Sequence, residues 1–213
     1  MTLRIAVLDY GAGNVRSARR GFDAAGAVAE VVADPRKARQ ADALVVPGVG
    51  HFSSCLANLR ISGLHEVLQA FIVEQRPVFG ICVGMQLLYA GSEEGDEPGL
   101  ALLPGAVVRF PSNAIVPHLG WDTIQVCDDL PSHDGALVEG LDGERLYFTH
   151  SYYSVPADES HVLATCRYGG TNFPCVVREG SVVGTQFHPE KSGAIGQRLL
   201  TNWLRSAATT SVA

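Results

Sequence analysis

Three short, uninterrupted apolar runs constrain this chain most: Ile5-Ala-Val-Leu8, Ala43-Leu-Val-Val46 and Val78-Phe-Gly-Ile81. A strand with one wet face alternates apolar and polar residues, whereas a strand covered on both faces reads as a continuous apolar run. Helical stretches lie between them, from about Val15 to Ala25 and from about Leu64 to Glu74. Asp34-Pro35 opens a short helix, Ala27–Val32 reads as a further strand, and Gly84–Ala90 begins another helix. Strands spaced by helices imply βαβ units with right-handed crossovers, hence a parallel sheet. The second half is richer in strands, at about Val107–Phe110, Thr123–Val126, Leu146–Phe148 and Val162–Cys166. Cys175–Val177 and Val182–Phe187 flank a hairpin turn with Gly180 at its tight position. Ser92–Gly99 is acidic, carries Gly and Pro, and reads as an exposed loop. A final helix covers about Ile195–Leu204. The expectation is one α/β domain over residues 1–205, its mixed sheet parallel at the centre and flanked by helices, with a fraying tail at 206–213.

Composition removes several function classes. A chain of 213 residues, 46% hydrophobic, has enough apolar material for a full core. The formal net charge is −6 and no Lys/Arg cluster stands out, so a nucleic-acid footprint is absent. No apolar run reaches the roughly 18 residues of a spanning helix, and Met1-Thr2-Leu3-Arg4 passes straight into a strand with no signal-peptide layout. The five cysteines are odd in number and none forms a C-x-x-C pair. That argues against a disulfide framework and a thiolate zinc site, and fits a reducing, cytoplasmic setting.

One cysteine has a chemical context. Gly80-Ile81-Cys82-Val83-Gly84 follows a strand and precedes a helix, which is the cysteine form of the nucleophile elbow. The sharp turn forces the nucleophile into a sparsely allowed backbone region, and the glycines leave room where strand and helix approach. A helix N-terminus favours the thiolate, and the Val83 N–H is the natural first oxyanion donor. On the pattern alone, a buried core cysteine beside two turn glycines stays open. His188 closes an apolar strand just before a helix, with Glu190 two residues on, so it can serve as a base oriented by a carboxylate. Taken alone, the pair could also be an ordinary helix start. Pro47-Gly48-Val49-Gly50 ends the third strand and can supply a second oxyanion donor.

Together, Pro47-Gly-Val-Gly50, Gly80-Ile-Cys-Val-Gly-Met-Gln86 and Gln186-Phe-His-Pro-Glu190 resemble the class I glutamine amidotransferases. Asp9-Tyr-Gly-Ala-Gly-Asn14, Pro117-His-Leu-Gly-Trp121 and His188-Pro-Glu-Lys-Ser192 narrow the likeness to the glutaminase subunits of imidazole glycerol phosphate synthase, over about residues 4–205. The resemblance implies Cys82 as nucleophile, His188 as general base and acid, Glu190 as orienter, and Val83 with Gly48 or Val49 at the oxyanion. It implies that Gly50, Gln86, Ser151 and Tyr152 hold glutamine, with no cofactor and no metal. It implies a heterodimer with a (β/α)8 cyclase subunit that consumes the ammonia, met by Asn14, Trp121, Tyr147 and Lys191. Without it, Gln86 would read as an exposed helix residue, His150 to Tyr153 as a half-buried strand end and Trp121 as core. Val83 departs from the family's commoner Leu but keeps the N–H. Amidotransferase subunits of other synthases, such as those making anthranilate or pyridoxal phosphate, stay open. A Rossmann nucleotide module is disfavoured, since Arg16 stands where G-x-G-x-x-G needs its third glycine. A cysteine peptidase on a similar fold is the third alternative.

Overall fold

The apolar runs lie side by side in one half of a nine-stranded sheet, one strand in from its edge. The computed structural model describes residues 2–210. Its first half alternates β1 (Arg4–Leu8), α1 (Val15–Ala24), β2 (Val28–Val32), α2 (Pro35–Ala38), β3 (Ala43–Gly48), α3 (Phe52–Ile61), α4 (Leu64–Val73), β4 (Val78–Cys82) and α5 (Val83–Gln86). The second half contains β5 (Gly105–Arg109), β6 (His118–Val126), α6 (Ser132–Leu137), β7 (Arg145–His150), β8 (Tyr152–Pro156), β9 (Val162–Tyr168), β10 (Thr171–Glu179), β11 (Val182–Thr185) and α7 (Gly193–Thr210).

The sheet order is β2-β1-β3-β4-β11-β10-β9-β6-β7, with β5 and β8 paired separately. From β2 to β11 every neighbour is parallel, and from β11 to β7 every neighbour is antiparallel. The sheet is mixed, as expected, but its parallel part fills one half, from the β2 edge to β11, rather than the centre, because the strand-rich second half extends it antiparallel on one side only. Every residue of β3 and β4 is buried, as strands covered on both faces must be. Phe79 of β4 meets Phe22 of α1 and Trp203 of α7 edge-on, at centroid distances of 5.7 and 5.2 Å. Those two helices therefore cover one face of the strand that ends at Cys82. The hairpin at Gly180-Ser181 forms as expected, with Glu179 opposite Val182 and Gly180 at φ 56°.

Several boundaries differ from the sequence expectation. The helix expected at Gly84–Ala90 is a single turn, because the Leu87, Leu88 and Tyr89 carbonyls accept N–H groups from residues 100–103 instead of continuing the helix. α3, α6 and β8 were not foreseen. β6 starts at His118 rather than Thr123, since it pairs along β7 from His118 opposite His150 to Thr123 opposite Arg145. β11 ends at Thr185, opposite Ile81, where its partner β4 runs out into α5. The loop at Ser92–Gly99 is only partly exposed: Glu94 reaches back to accept the Phe52 N–H (2.8 Å) and caps α3. Residues 206–210, expected to fray, continue α7, and Ala207 is buried in the core. The rest of that tail, 211–213, lies outside the described residues.

Candidate active site

Cys82 closes β4 with φ 53° and ψ −114°, a backbone geometry that L-residues rarely adopt. Such a residue costs about 1–3 kcal/mol and persists only where its surroundings over-determine it. Here glycines do so. A methyl on Gly84 would sit 1.8 Å from the Val46 carbonyl oxygen, one on Gly80 2.7 Å from Met85 Cα, and one on Gly48 2.4 Å from the Gly84 nitrogen. β3, β4 and α5 thus approach to a distance that no side chain would allow. α5 has four residues, so individual N–H groups such as that of Val83 matter here more than a helix dipole.

His188 lies beyond the end of β11, where three hydrogen bonds fix it. Its N–H donates to the Tyr147 carbonyl (2.9 Å), and its carbonyl accepts the Ser192 hydroxyl (2.7 Å). That hydroxyl in turn accepts the Tyr147 N–H (3.0 Å). Nδ1 of His188 contacts Glu190 Oε1 at 2.9 Å, and both side chains are only 2% exposed. Burial alone would push the imidazole toward neutrality, yet Cys82 and Glu190 outweigh it and hold its pKa up at about 10. Nε2 is buried and makes no hydrogen bond of regular geometry, Cys82 being the neighbour whose influence it feels.

A cavity of about 170 Å³ lies beside the sulfur. Its walls come from the loop after β3 (Val49, Gly50), the elbow (Cys82, Val83, Gln86) and the corner between β7 and β8 (Ser151, Tyr152). Residues expected from three separated segments are therefore brought to one place. Gly48 is buried against α5 instead of lining the cavity. The Tyr10 hydroxyl donates to the Pro47 carbonyl (2.5 Å) and anchors the end of β3. Gln86 is buried rather than exposed, and donates to the Tyr152 carbonyl (2.9 Å) and to Gln186 Oε1 (3.0 Å).

Four wall residues had no role in the sequence reading: Glu94, Pro117, Thr149 and His150. His150 Nδ1 donates to the Tyr152 carbonyl (2.8 Å), and its Nε2 lies 3.2 Å from His118 Nδ1. Burial drives the His150 pKa down to about 3, so it is neutral and its Nε2 accepts from His118. The pairing of β6 with β7, which sets His118 opposite His150, was the missing signal.

Three of the four residues expected at a partner face form one patch. Trp121 is 46% exposed, not core, and its ring lies 6.1 Å from that of Tyr147. Lys191 Nζ sits 5.8 Å from the Tyr147 ring centroid, and that ring lies 6.4 Å from His188. Asn14 is exposed and caps α1 by accepting the Ser17 N–H (3.3 Å).

The chain matches known proteins along nearly its whole length. Residues 6–207 match the family model described as glutamine amidotransferase class-I. The chain is 47% identical to imidazole glycerol phosphate synthase subunit HisH of Halobacterium salinarum, over 94% of this chain and 92% of that one. It is 44% identical to the subunit of the same name from Geobacter sulfurreducens, over 94% and 97%. Among solved structures, one titled as a glutamine amidotransferase superposes with a TM-score of 0.72 at 25% identity, covering 96% of this chain and 98% of that one.

Proposed function

Because the chain belongs to the class-I glutamine amidotransferases, we infer that it is the glutaminase subunit of an imidazole glycerol phosphate synthase, acting in histidine biosynthesis. It hydrolyses glutamine to glutamate and ammonia. The ammonia passes to a (β/α)8 cyclase subunit, which makes imidazole glycerol phosphate and an aminoimidazole carboxamide ribonucleotide. The observation that carries this reading is a strained cysteine at a cavity, beside a buried imidazole that the cysteine and a carboxylate together keep protonated.

The chemistry follows from those positions. Cys82 attacks the side-chain carbonyl of glutamine as a thiolate, with His188 holding the proton as imidazolium. The tetrahedral oxyanion takes hydrogen bonds from the Val83 N–H and from the Gly48–Val49 segment; losing one such donor costs roughly 2.7–4 kcal/mol of barrier. His188 delivers its proton to the leaving nitrogen, ammonia departs and a thioester remains. His188, now neutral, takes a proton from water, and the hydroxide cleaves the thioester to glutamate. Glu190 keeps the imidazole oriented through both steps. Gly50, Gln86, Ser151 and Tyr152 hold the substrate. Two N–H groups of Gln86 are already engaged, so its Oε1 is the atom it offers to a substrate donor. The patch of Trp121, Tyr147 and Lys191, with Asn14, meets the cyclase, and the rings of that patch reach His188.

No helix among the described residues is long and apolar enough to cross a membrane, and a cytoplasmic setting fits five unpaired thiols. The test is ammonia release from glutamine by the purified chain, alone and with a cyclase subunit and its ribonucleotide. Strong stimulation by the liganded cyclase is expected. Activity indifferent to that partner would move the chain to another synthase, and no activity in either condition would overturn the reading.

A further inference from the structure

The Cys82 sulfur has a second polar neighbour that the mechanism above does not use. Gln186 Nε2 lies 3.5 Å from Sγ and makes no other hydrogen bond among the described residues. The Gln186 side chain is fully buried, and it is not part of the cavity wall. It touches the reacting atom without touching the substrate site.

A backbone carbonyl fixes which end of this amide faces the sulfur. The Tyr152 carbonyl oxygen can only accept, so the Gln86 atom 2.9 Å away is its NH2 group. The second Gln86 N–H then points at the Gln186 side chain, 3.0 Å away, where only an oxygen is acceptable. The other end of Gln186 is therefore its NH2 group, and it faces Sγ. Reversing Gln186 would set two NH2 groups against each other and a carbonyl lone pair against the sulfur. His150 Nδ1 donates to the same Tyr152 carbonyl (2.8 Å) and holds the far end of the chain in place.

A thiol is a weak acceptor and a thiolate a strong one, so a fixed N–H favours the charged sulfur. It opposes the Thr149 carbonyl, which lies 3.9 Å from Sγ and accepts from the thiol form. We propose that Gln186 is a further catalytic residue for glutamine hydrolysis: its side-chain N–H holds the Cys82 sulfur as a thiolate, aimed by the Tyr152 carbonyl through Gln86. The proposal rests on the assignment of Cys82 as nucleophile.

Titratable groups surround the sulfur on several sides. His188, backed by Glu190, faces it from beyond β11, and Glu94 and His150 line the same cavity, His150 held neutral by burial. Cys55 of α3 is pushed up to about 11 by burial, and Tyr10 beyond β1 is pushed well above its usual value by burial, so both stay neutral up to about pH 9. The experiment measures iodoacetamide alkylation of Cys82, followed on its own peptide by mass spectrometry, against pH, in the wild-type chain, Gln186→Met and Gln186→Glu. In Gln186→Met alkylation slows about tenfold at pH 7, the scale of one hydrogen bond to a charged group, and recovers toward the wild-type rate in alkali. With the cyclase bound, kcat falls by about the same factor and the KM for glutamine is unchanged. Gln186→Glu keeps the size and the bond from Gln86 but turns a carboxylate oxygen to the sulfur, so it is slower still at pH 7. It also supplies the result should Gln186→Met fail to fold. A wild-type pH profile in either folded variant overturns the proposal, as does slowing by the same factor at every pH. Alkylation needs no glutaminase turnover, so a wild-type chain that releases no ammonia refutes the functional reading separately.

Discussion

Replacing Gly84 by alanine perturbs the elbow at its tightest point. The added methyl would lie 1.8 Å from the Val46 carbonyl oxygen and 2.7 Å from the Val46 carbonyl carbon. Neither atom can swing away, because both belong to β3, which is hydrogen-bonded to β1 on one side and β4 on the other. Restoring ordinary contact at 3.4 Å requires α5 and the elbow to retreat by about 1.6 Å. Overpacking of this kind costs about 1–3 kcal/mol, which lowers Tm by several degrees in a domain of this size. A displacement of about 1 Å at a reacting group costs about 100-fold in rate, so glutaminase activity should fall at least that far. Urea unfolding and ammonia release with the cyclase bound give the two numbers. The control is Gly135→Ala in α6, where an added methyl meets nothing within 4 Å; it should leave activity intact and stabilise the chain by about 0.4–1 kcal/mol. Wild-type stability and rate in Gly84→Ala would refute the argument from close approach.

Three further outcomes are expected. Cys82→Ser should abolish ammonia release while leaving the unfolding midpoint and cyclase binding near wild type; retained turnover would remove Cys82 from the chemistry. His188 binds its proton more tightly in the fold, with a pKa of about 10, than in an unfolded chain at about 6.5. The stabilisation it provides is complete below about pH 6.5 and is lost as pH rises toward 10. The stability advantage of wild type over Glu190→Gln should therefore shrink from pH 6 to pH 10, and an advantage that grew over that range would reverse the assignment. Trp121→Ala should weaken cyclase binding, measured by calorimetry, with little effect on unfolding, since the ring is 46% exposed; unchanged affinity would move the interface elsewhere.

Legibility in the sequence divides along local and long-range physics. β1, β3 and β4 were readable because burial on both faces writes itself as an uninterrupted apolar run. The elbow and His188-Pro-Glu190 were readable because their spacing is local. α3 was not: its first residue, Phe52, takes its cap from Glu94, 42 positions away, and the preceding His51 provides none. α5 was overextended because the groups that end it arrive from residues 100–103. The same limit applies in the site. Gln186 stood inside a quoted motif, but its link to Cys82 spans 104 positions and depends on which way two amides point. Glu94 and His150 reach the cavity wall through the fold rather than through any pattern in the chain.

The placement of β4 has a consequence for how the chain is made. Its neighbour on one side, β3, precedes it, but its neighbour on the other is β11, whose first residue lies 100 positions after Cys82. At about 5–20 residues per second, a ribosome takes roughly 5–20 s to supply that strand. Throughout that interval the most apolar part of the sheet has an open edge, and the thiol at its tip lacks the imidazole that gives it a purpose. The sheet edge at β4 is thus closed, and Cys82 brought beside His188, only after the strand that follows it by 100 positions has been made.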